Sequence, residues 1–181
     1  MPFTRIAVLL MFLLACSRTL AAGDTNAAAT NLVAGFELLD QFDAPRKIAF
    51  PATNTLVLIV TDRKGSEQVE GWMAALEKYP HPVTVRGLAD LGGAPWFVHG
   101  RIRRHFRKTY QQPVMLDWSG KHCARIRYQA GVANVLVIDR DGVILNRVTG
   151  AALETNCAAV FGTIEETLAK PPSSPSTASG K

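Results

Sequence analysis

Two uninterrupted apolar runs constrain the fold of this chain more than any other feature of its sequence. The runs are TLVLIV at residues 55–60 and VLVI at residues 135–138. A strand with one face in water alternates apolar and polar residues, whereas a strand covered on both faces is apolar throughout. Both runs therefore predict central strands of a sheet that carries other elements on each face.

The segments around these runs alternate between strand and helix patterns. Val69, Trp72, Met73 and Leu76, for example, recur at the helical period. The predicted strands are 36–41, 46–50, 55–60, 83–88, 114–117, 135–139 and 143–148, and the predicted helices are 66–79, 95–110, 121–128 and 151–169. This order predicts an α/β fold: a mixed sheet with helices on both faces, closed by a C-terminal β-hairpin and a last helix.

The N-terminus has the pattern of an export signal. Arg5 precedes an apolar run at residues 6–15 that is too short to span a bilayer. Two processing sites are compatible with this run. A lipobox ending in Cys16 would leave a lipidated cysteine after a signal of residues 1–15, whereas Thr19-Leu20-Ala21 would end an ordinary signal of residues 1–21. Both alternatives predict an extracytoplasmic, periplasmic protein, and the first predicts a lipid anchor on Cys16.

The rest of the chain is long enough for one domain. Residues 22–34 are small and polar and predict a flexible linker, residues 35–169 the domain, and residues 170–181 a disordered Pro/Ser-rich tail. Of the 181 residues, 48% are hydrophobic, which excludes a disordered protein. Three cysteines are too few for a scaffold built on disulfides.

Three segments occur in an order and spacing that carry a family resemblance. They are FELLDQ at 36–41, the strand–loop–helix unit that begins at residue 56, and GVANVLVIDRDG at 131–142. Together they resemble the redoxin branch of the thioredoxin-like fold, which contains the peroxiredoxins and TlpA-like proteins. The resemblance implies a three-layer thioredoxin-like sandwich over residues 35–169. The chain also resembles exported relatives that lack the redox cysteines.

The chain departs from this family at the redox site. Active members carry a cysteine at the start of the first helix, where the helix N-terminus lowers the thiol pKa. The corresponding segment here is DRKGSEQ at 62–68, and the serine hydroxyl is too weak an acid to replace a thiol. The family's cis-proline corresponds to Ala133, which we expect to follow a trans bond because a non-proline cis bond costs about 2.5–4 kcal/mol. We therefore predict a non-catalytic binding or accessory protein of the cell envelope.

Cys123 and Cys157 are the cysteines left in the predicted domain. The alternative function is a thiol–disulfide or peroxide oxidoreductase that uses one of them from an unusual position, or both as a disulfide. The favoured interpretation is that each is a small buried apolar residue. The resemblance also implies that their helices lie on opposite faces of the sheet.

The turn formed by Arg63, Lys64, Gly65 and Ser66 is the candidate ligand site. It follows a buried strand and opens a helix, and unpaired N–H groups at a helix start bind anions. We predict a protein or an anionic ligand there. In the simpler alternative, Gly65 makes the turn, Ser66 caps the helix and both charges are solvated.

A cluster of basic residues on the second helix is the candidate membrane contact. Its members are Arg101, Arg103, Arg104, Arg107 and Lys108. Next to a lipid on Cys16, such a cluster would bind anionic lipid, whereas the simpler alternative is a solvated helix face. Trp96 and Phe97, at the start of the helix, are predicted to be core residues. A net charge of +5 does not predict nucleic acid as a partner for an exported protein.

No motif in the sequence predicts a metal or an organic cofactor. The four histidines (His81, His99, His105 and His122) do not have the spacing of metal ligands. The glycine patterns of nucleotide-binding loops and of hydrolase nucleophile turns are also absent from the sequence.

Overall fold

A five-stranded mixed sheet forms the centre of the protein. The computed structural model describes residues 31–81 and 83–169. The predicted export signal, the lipidation candidate Cys16, most of the linker and the C-terminal tail lie outside these residues. No helix in the described ranges has the length and apolar character needed to cross a membrane.

The strands and helices follow the predicted order. The strands are β1 (Phe36–Leu39), β2 (Pro45–Ile48), β3 (Leu56–Thr61), β4 (Thr84–Asp90), β5 (Val114–Asp117), β6 (Asn134–Ile138) and β7 (Ile144–Thr149). The helices are α1 (Val69–Glu77), α2 (His99–Thr109), α3 (Lys121–Ile126) and α4 (Glu154–Ala169). Short 3₁₀ turns at Gly65–Gln68 and Trp96–Val98 lead into α1 and α2.

The sheet order is β5-β4-β3-β6-β7. Strands β3, β4 and β5 are parallel, and β6 pairs antiparallel with both β3 and β7. The two apolar runs are thus neighbours at the centre of the sheet, and every residue of β3 and β6 is buried. The prediction of a mixed sheet with a closing hairpin and a last helix is confirmed.

Alternate residues of β3 point into two separate cores. Leu56, Leu58 and Val60 belong to one cluster, which also contains Ile126 of α3. Val57 and Ile59 belong to the other, which contains apolar side chains of α1 and α4. Because successive side chains of a strand point to opposite faces, the sheet carries helices on both sides. The predicted three-layer arrangement is confirmed.

Asp40 and Gln41, the last two residues of the FELLDQ motif, hold the β1–β2 hairpin at the edge of the sheet. Asp40 is buried and accepts hydrogen bonds from the amides of Phe42 and Ala44, and it pairs with Arg46 at 2.7 Å. The buried Gln41 side chain donates to the carbonyls of Tyr110 and Gln112 and accepts from the amide of Val114. These bonds hold the β1–β2 hairpin against the segment that enters β5.

The ordered fold begins before residue 35, where the linker was predicted to end. Leu32 pairs with Val143, and Val33 is buried with an exposed fraction of 6%. The amide of Val33 donates to the carbonyl of Gly142. Leu32 and Val33 are thus part of the fold, because Val33 fills a place in the core.

Candidate functional site

The candidate site lies where β3 ends and the first helix begins. Asp62 follows β3 directly, and both oxygens of its carboxylate accept backbone hydrogen bonds. Oδ1 accepts from the amide of Gly65 at 2.8 Å, and Oδ2 accepts from the amide of Gly131 at 2.8 Å. Asp62 therefore ties the helix start to the segment that precedes β6.

Gly65 lies in the segment where the resemblance places a redox cysteine, and its backbone is in contact with another part of the chain. It is buried, and a Cβ atom on it would overlap the carbonyl group of Val132 and lie 3.0 Å from the amide nitrogen of Ala133. The Gln68 side chain accepts a hydrogen bond from that same Ala133 amide at 2.9 Å. Only a residue without a side chain fits here, because the two backbones are in contact.

The position where the family has its cis-proline is also changed in this chain. The cis peptide bond in the described residues is Phe50–Pro51, so the bond between Val132 and Ala133 is trans, as predicted. Ala133 is fully buried beneath the helix start. Within the described ranges, neither cysteine lies in the Asp62–Gln68 segment or next to Ala133 in sequence.

The two remaining cysteines lie in different cores. Cys123, on α3, is fully buried in the cluster with Leu58, and Cys157, on α4, packs against the cluster with Val57. They are therefore on opposite faces of the sheet, and neither forms a disulfide in the described structure. Burial, reinforced for Cys123 by the nearby Asp117 carboxylate, raises the pKa of both thiols. At neutral pH both are protonated and therefore poor nucleophiles.

The structure brings Arg63, Lys64, Gly65 and Ser66 together as one turn, and the amides of Gly65 and Ser66 are already used as donors. The amide of Gly65 donates to the Asp62 carboxylate, and the amide of Ser66 donates to the Asp62 carbonyl. The Ser66 hydroxyl donates to the carbonyl of Arg63 at 2.7 Å, so it does not cap the helix. Arg63 and Lys64 are exposed and remain as the groups that a ligand could contact.

The turn lies at one end of a groove of about 1760 Å³ between α1 and α2. The floor is β4, which contributes Val85, Gly87 and Ala89. The α1 wall carries Glu70 and Glu77 beside apolar side chains, and the α2 wall carries Arg101 and His105 beside apolar side chains. The groove is wide because α2 buries none of its own residues and stands away from the sheet. Sequence periodicity predicted that helix but did not reveal the groove.

Sequence reasoning also missed a row of aspartates. Asp62, Asp90 and Asp117 each stand at or just after the carboxyl end of a parallel strand, a signal that the sequence contained. The Asp90 carboxylate accepts from the Tyr128 hydroxyl at 2.6 Å and from the amide of Gly92. Burial alone would raise the pKa of Asp117, but hydrogen bonds from the Cys123 amide and neighbouring donors outweigh it and lower the pKa.

These aspartates do not form a metal site. In the described ranges, no group of three or more histidine, cysteine, aspartate or glutamate side chains is placed to hold a metal ion. Each of the three carboxylates accepts hydrogen bonds from the protein itself: Asp62 and Asp117 from backbone amides, and Asp90 from an amide and a phenol. The row stabilises the loops at this edge of the sheet.

The predicted basic cluster divides into two parts. Arg103 and Arg107 both pair with Asp43 in the β1–β2 hairpin, and Arg107 also donates to the Gln41 carbonyl. Arg103 additionally lies over the ring of Trp118, with 5.7 Å between its guanidinium carbon and the ring centroid. These two arginines attach α2 to the hairpin. The other three members of the cluster, Arg101, Arg104 and Lys108, are exposed.

Trp96 and Phe97 are not core residues, and this prediction was wrong. Their exposed fractions are 82% and 69%, the highest among the large hydrophobic residues of the described chain. Neither ring lines the groove, and the two rings are arranged edge to face with 6.1 Å between their centroids. Helical periodicity identified the helix, but it could not distinguish a side chain that faces the sheet from one that faces water.

No family model matches the sequence, and no curated protein matches it either. Solved structures match its fold. The exposed lipoprotein thioredoxin Etrx1 of Streptococcus pneumoniae matches with a TM-score of 0.59 and 16% identity, over 74% of this chain and 99% of that one. A thioredoxin-family thiol:disulfide interchange protein of Chlorobium tepidum has a TM-score of 0.54 and 11% identity, over 76% and 96%.

StoA of Bacillus subtilis matches similarly, with a TM-score of 0.53 and 11% identity over 76% of this chain and 98% of that one. These matches span almost the full length of each neighbour. At these low identities the matches support the architecture alone. The sheet order and the placement of the helices agree with that architecture. The chain therefore has a thioredoxin-like fold.

Proposed function

We propose that this chain is an extracytoplasmic thioredoxin-like protein that binds a polypeptide partner and does not transfer electrons. The observation that carries the proposal is the contact of Gly65 with the Val132–Ala133 peptide. It leaves no room for a side chain, and therefore none for a thiol, at position 65 of the segment where the family carries its redox cysteine.

The properties of the cysteines support the same proposal. A reactive thiol is exposed and has a lowered pKa. Cys123 is fully buried, Cys157 is half-buried, and the pKa of each thiol is raised. They lie in different cores, so they cannot act as a pair without unfolding.

The groove between α1 and α2 is the proposed binding site. Pockets for small ligands measure roughly 300–1000 Å³, and this groove, at about 1760 Å³, is larger. Its apolar floor is flanked by an acidic wall on α1 and a basic wall on α2. A polypeptide segment with apolar side chains and charges of both signs would complement it. Arg63 and Lys64 would bind acidic groups at the end of such a segment.

The proposed location outside the cytoplasm rests on the apolar run at residues 6–15. One structural neighbour is named as an exposed lipoprotein, which agrees with export and with a lipid on Cys16. Intact mass of the protein purified from membranes would distinguish the two processing sites. A diacylated N-terminal cysteine is expected, and a chain that begins at residue 22 would contradict the lipid anchor.

The absence of electron transfer is tested with assays of disulfide reduction and hydroperoxide reduction. We expect no turnover above the rate of the thiol reductant alone. Cys123→Ser and Cys157→Ser serve as the comparison. Turnover that either substitution abolished would assign the protein to the alternative class, the oxidoreductases.

Binding in the groove is tested by site-specific photocrosslinking in cells. A photoreactive residue at Glu70, which is exposed on the α1 wall, should give a discrete protein adduct, and the same residue at Leu145 on β7 is the matched control. Ile102→Trp, which narrows the groove, should abolish the Glu70 adduct. Adducts of equal yield from both positions, or a Glu70 adduct unaffected by Ile102→Trp, would contradict the proposed site.

A further inference from the structure

Neither the fold nor the groove explains why two neighbouring aromatic side chains are exposed to solvent. Trp96 and Phe97 expose 82% and 69% of their surface, and they are adjacent at the entrance to α2. Tryptophan and phenylalanine rings dominate the energetics of cores and interfaces, so two neighbouring rings in water indicate a contact surface.

The same side of the helix carries a line of positive charges. Phe97, Arg101, Arg104 and Lys108 follow one another at intervals of four, three and four residues, and such residues lie on one helix face. All four are exposed. In residues 31–81 and 83–169, Arg101, Arg104 and Lys108 form no ion pair with a carboxylate.

The two remaining basic residues of the helix behave differently. Arg103 and Arg107 are occupied by Asp43, so they fix the orientation of α2 on the hairpin. Arg104 and Lys108 lie on another face of the helix, and Arg101 lies where this face meets the groove. Attachment through one face and charge on another present a cationic surface to a partner.

Helix α2, which carries this surface, accounts for the net charge of the protein. The formal net charge is +5, and no acidic residue lies between Asp90 and Asp117, the stretch that contains α2 and its five basic residues. The rest of the chain is therefore close to neutral. A positive helix on a neutral protein is complementary to a negatively charged surface.

We propose that Trp96, Phe97, Arg101, Arg104 and Lys108 form a membrane-docking face that binds the surface of an anionic phospholipid bilayer. The three cations contact lipid phosphates, and the two rings enter the boundary between headgroups and acyl chains, where aromatic side chains are favoured. The rings select a bilayer over a soluble polyanion, because only the bilayer offers them an apolar environment.

The proposal is tested with vesicles and a chain that begins at Ser17. Every core contact described above lies within residues 31–169, so this chain keeps the fold and lacks both the apolar run and Cys16. We expect binding to vesicles of phosphatidylglycerol and phosphatidylcholine, weak binding to phosphatidylcholine alone, and a loss of affinity as salt is raised. The tryptophan emission should shift to shorter wavelength when the anionic vesicles bind.

Substitutions separate the docking face from net charge. Each basic group near an anionic membrane contributes about fivefold in affinity, so Arg101→Gln/Arg104→Gln/Lys108→Gln should weaken binding roughly 100-fold. Lys47→Gln/Lys78→Gln/Arg125→Gln removes the same charge from exposed positions elsewhere and should change affinity only a few-fold.

The aromatic pair is tested separately. Trp96→Phe should remove most of the shift in tryptophan emission, because Trp72 is buried and Trp118 is half-buried. The same substitution should keep the affinity for vesicles. Trp96→Ala/Phe97→Ala should weaken binding at high salt, where the charges are screened. Circular dichroism would show that the variants fold.

Two results would overturn the proposal. Equal losses of vesicle affinity from the two triple substitutions would show that binding depends on net charge alone. Binding to soluble polyglutamate as strong as binding to anionic vesicles, with an unchanged tryptophan emission, would assign the face to a polyanion instead of a membrane.

Discussion

Gly65 is the residue that leaves no room for a side chain at the start of the first helix. Its φ is not in the left-handed region, so the turn does not require glycine for its dihedral angle. Glycine is required because the Val132 carbonyl occupies the space of a Cβ atom. The sequence interpretation, in which Gly65 makes the turn and Ser66 caps the helix, identified the right segment but assigned the wrong roles. Asp62 is the residue that holds the amide of Gly65.

Gly65→Ala should destabilise the protein by about 1–3 kcal/mol, because the added methyl group must push two backbones apart. The matched control is Gly162→Ala in α4, where a Cβ atom would meet nothing within 4 Å outside its own helix. That change should stabilise the protein by about 0.5–1 kcal/mol, since alanine is the better helix former. Urea unfolding measures both, and equal effects of the two substitutions would contradict the packing argument.

Helix α2 buries fewer residues than the other helices. It buries none of its residues, whereas α1 buries Trp72 and Leu76 in the core beneath it. Its attachment depends on the polar contacts of Arg103 and Arg107 with the hairpin. An element with little buried apolar surface opens with a small free energy. The width of the groove and the placement of the docking face both depend on the position of this helix.

Asp43→Asn should therefore loosen α2 and leave the rest of the fold intact. Asparagine keeps the shape and tolerates the positive φ of 63° at this position, but it removes the charge that pairs with both arginines. Hydrogen exchange in residues 99–109 should accelerate several-fold, while the free energy of global unfolding changes by less than about 1 kcal/mol. Asp141→Asn, at an exposed turn, is the control and should leave exchange in α2 unchanged.

At the scale of the whole molecule, buried ionisable groups limit the pH range of stability. Burial alone would raise the pKa of Asp40, but hydrogen bonds from Arg46 and backbone amides outweigh it, so the pKa is lowered, as it is for Asp117. Burial and the neighbouring Asp90 carboxylate raise the pKa of the Tyr128 phenol, and burial raises that of the Cys123 thiol.

The signs of these shifts predict a stability plateau. A lowered carboxyl pKa means that the unfolded chain binds more protons in acid, so stability falls as the pH drops below about 4. A raised phenol or thiol pKa means that the unfolded chain releases protons first in alkali, so stability falls as the pH rises above about 9. The free energy of unfolding, measured with urea at a series of pH values, should be constant between about pH 4 and about pH 9.

Tyr128→Phe tests the alkaline limit, because it removes one of the groups whose pKa is raised there. The alkaline decline should become shallower in this variant, and Tyr110→Phe is the control. An alkaline decline that Tyr128→Phe left unchanged would show that Tyr128 does not contribute to it.

The sequence by itself determined the central strands, the order of elements and the absence of sulfur at the first helix start. It could do so because burial on both faces, helical period and residue identity are local properties of a segment. Only the tertiary structure decided that Gly65 lies against Val132, that Asp43 fixes Arg103 and Arg107, and that Trp96 and Phe97 face water. Each of these depends on which distant segment fills, or leaves open, the space beside a side chain, and no local pattern carries that information.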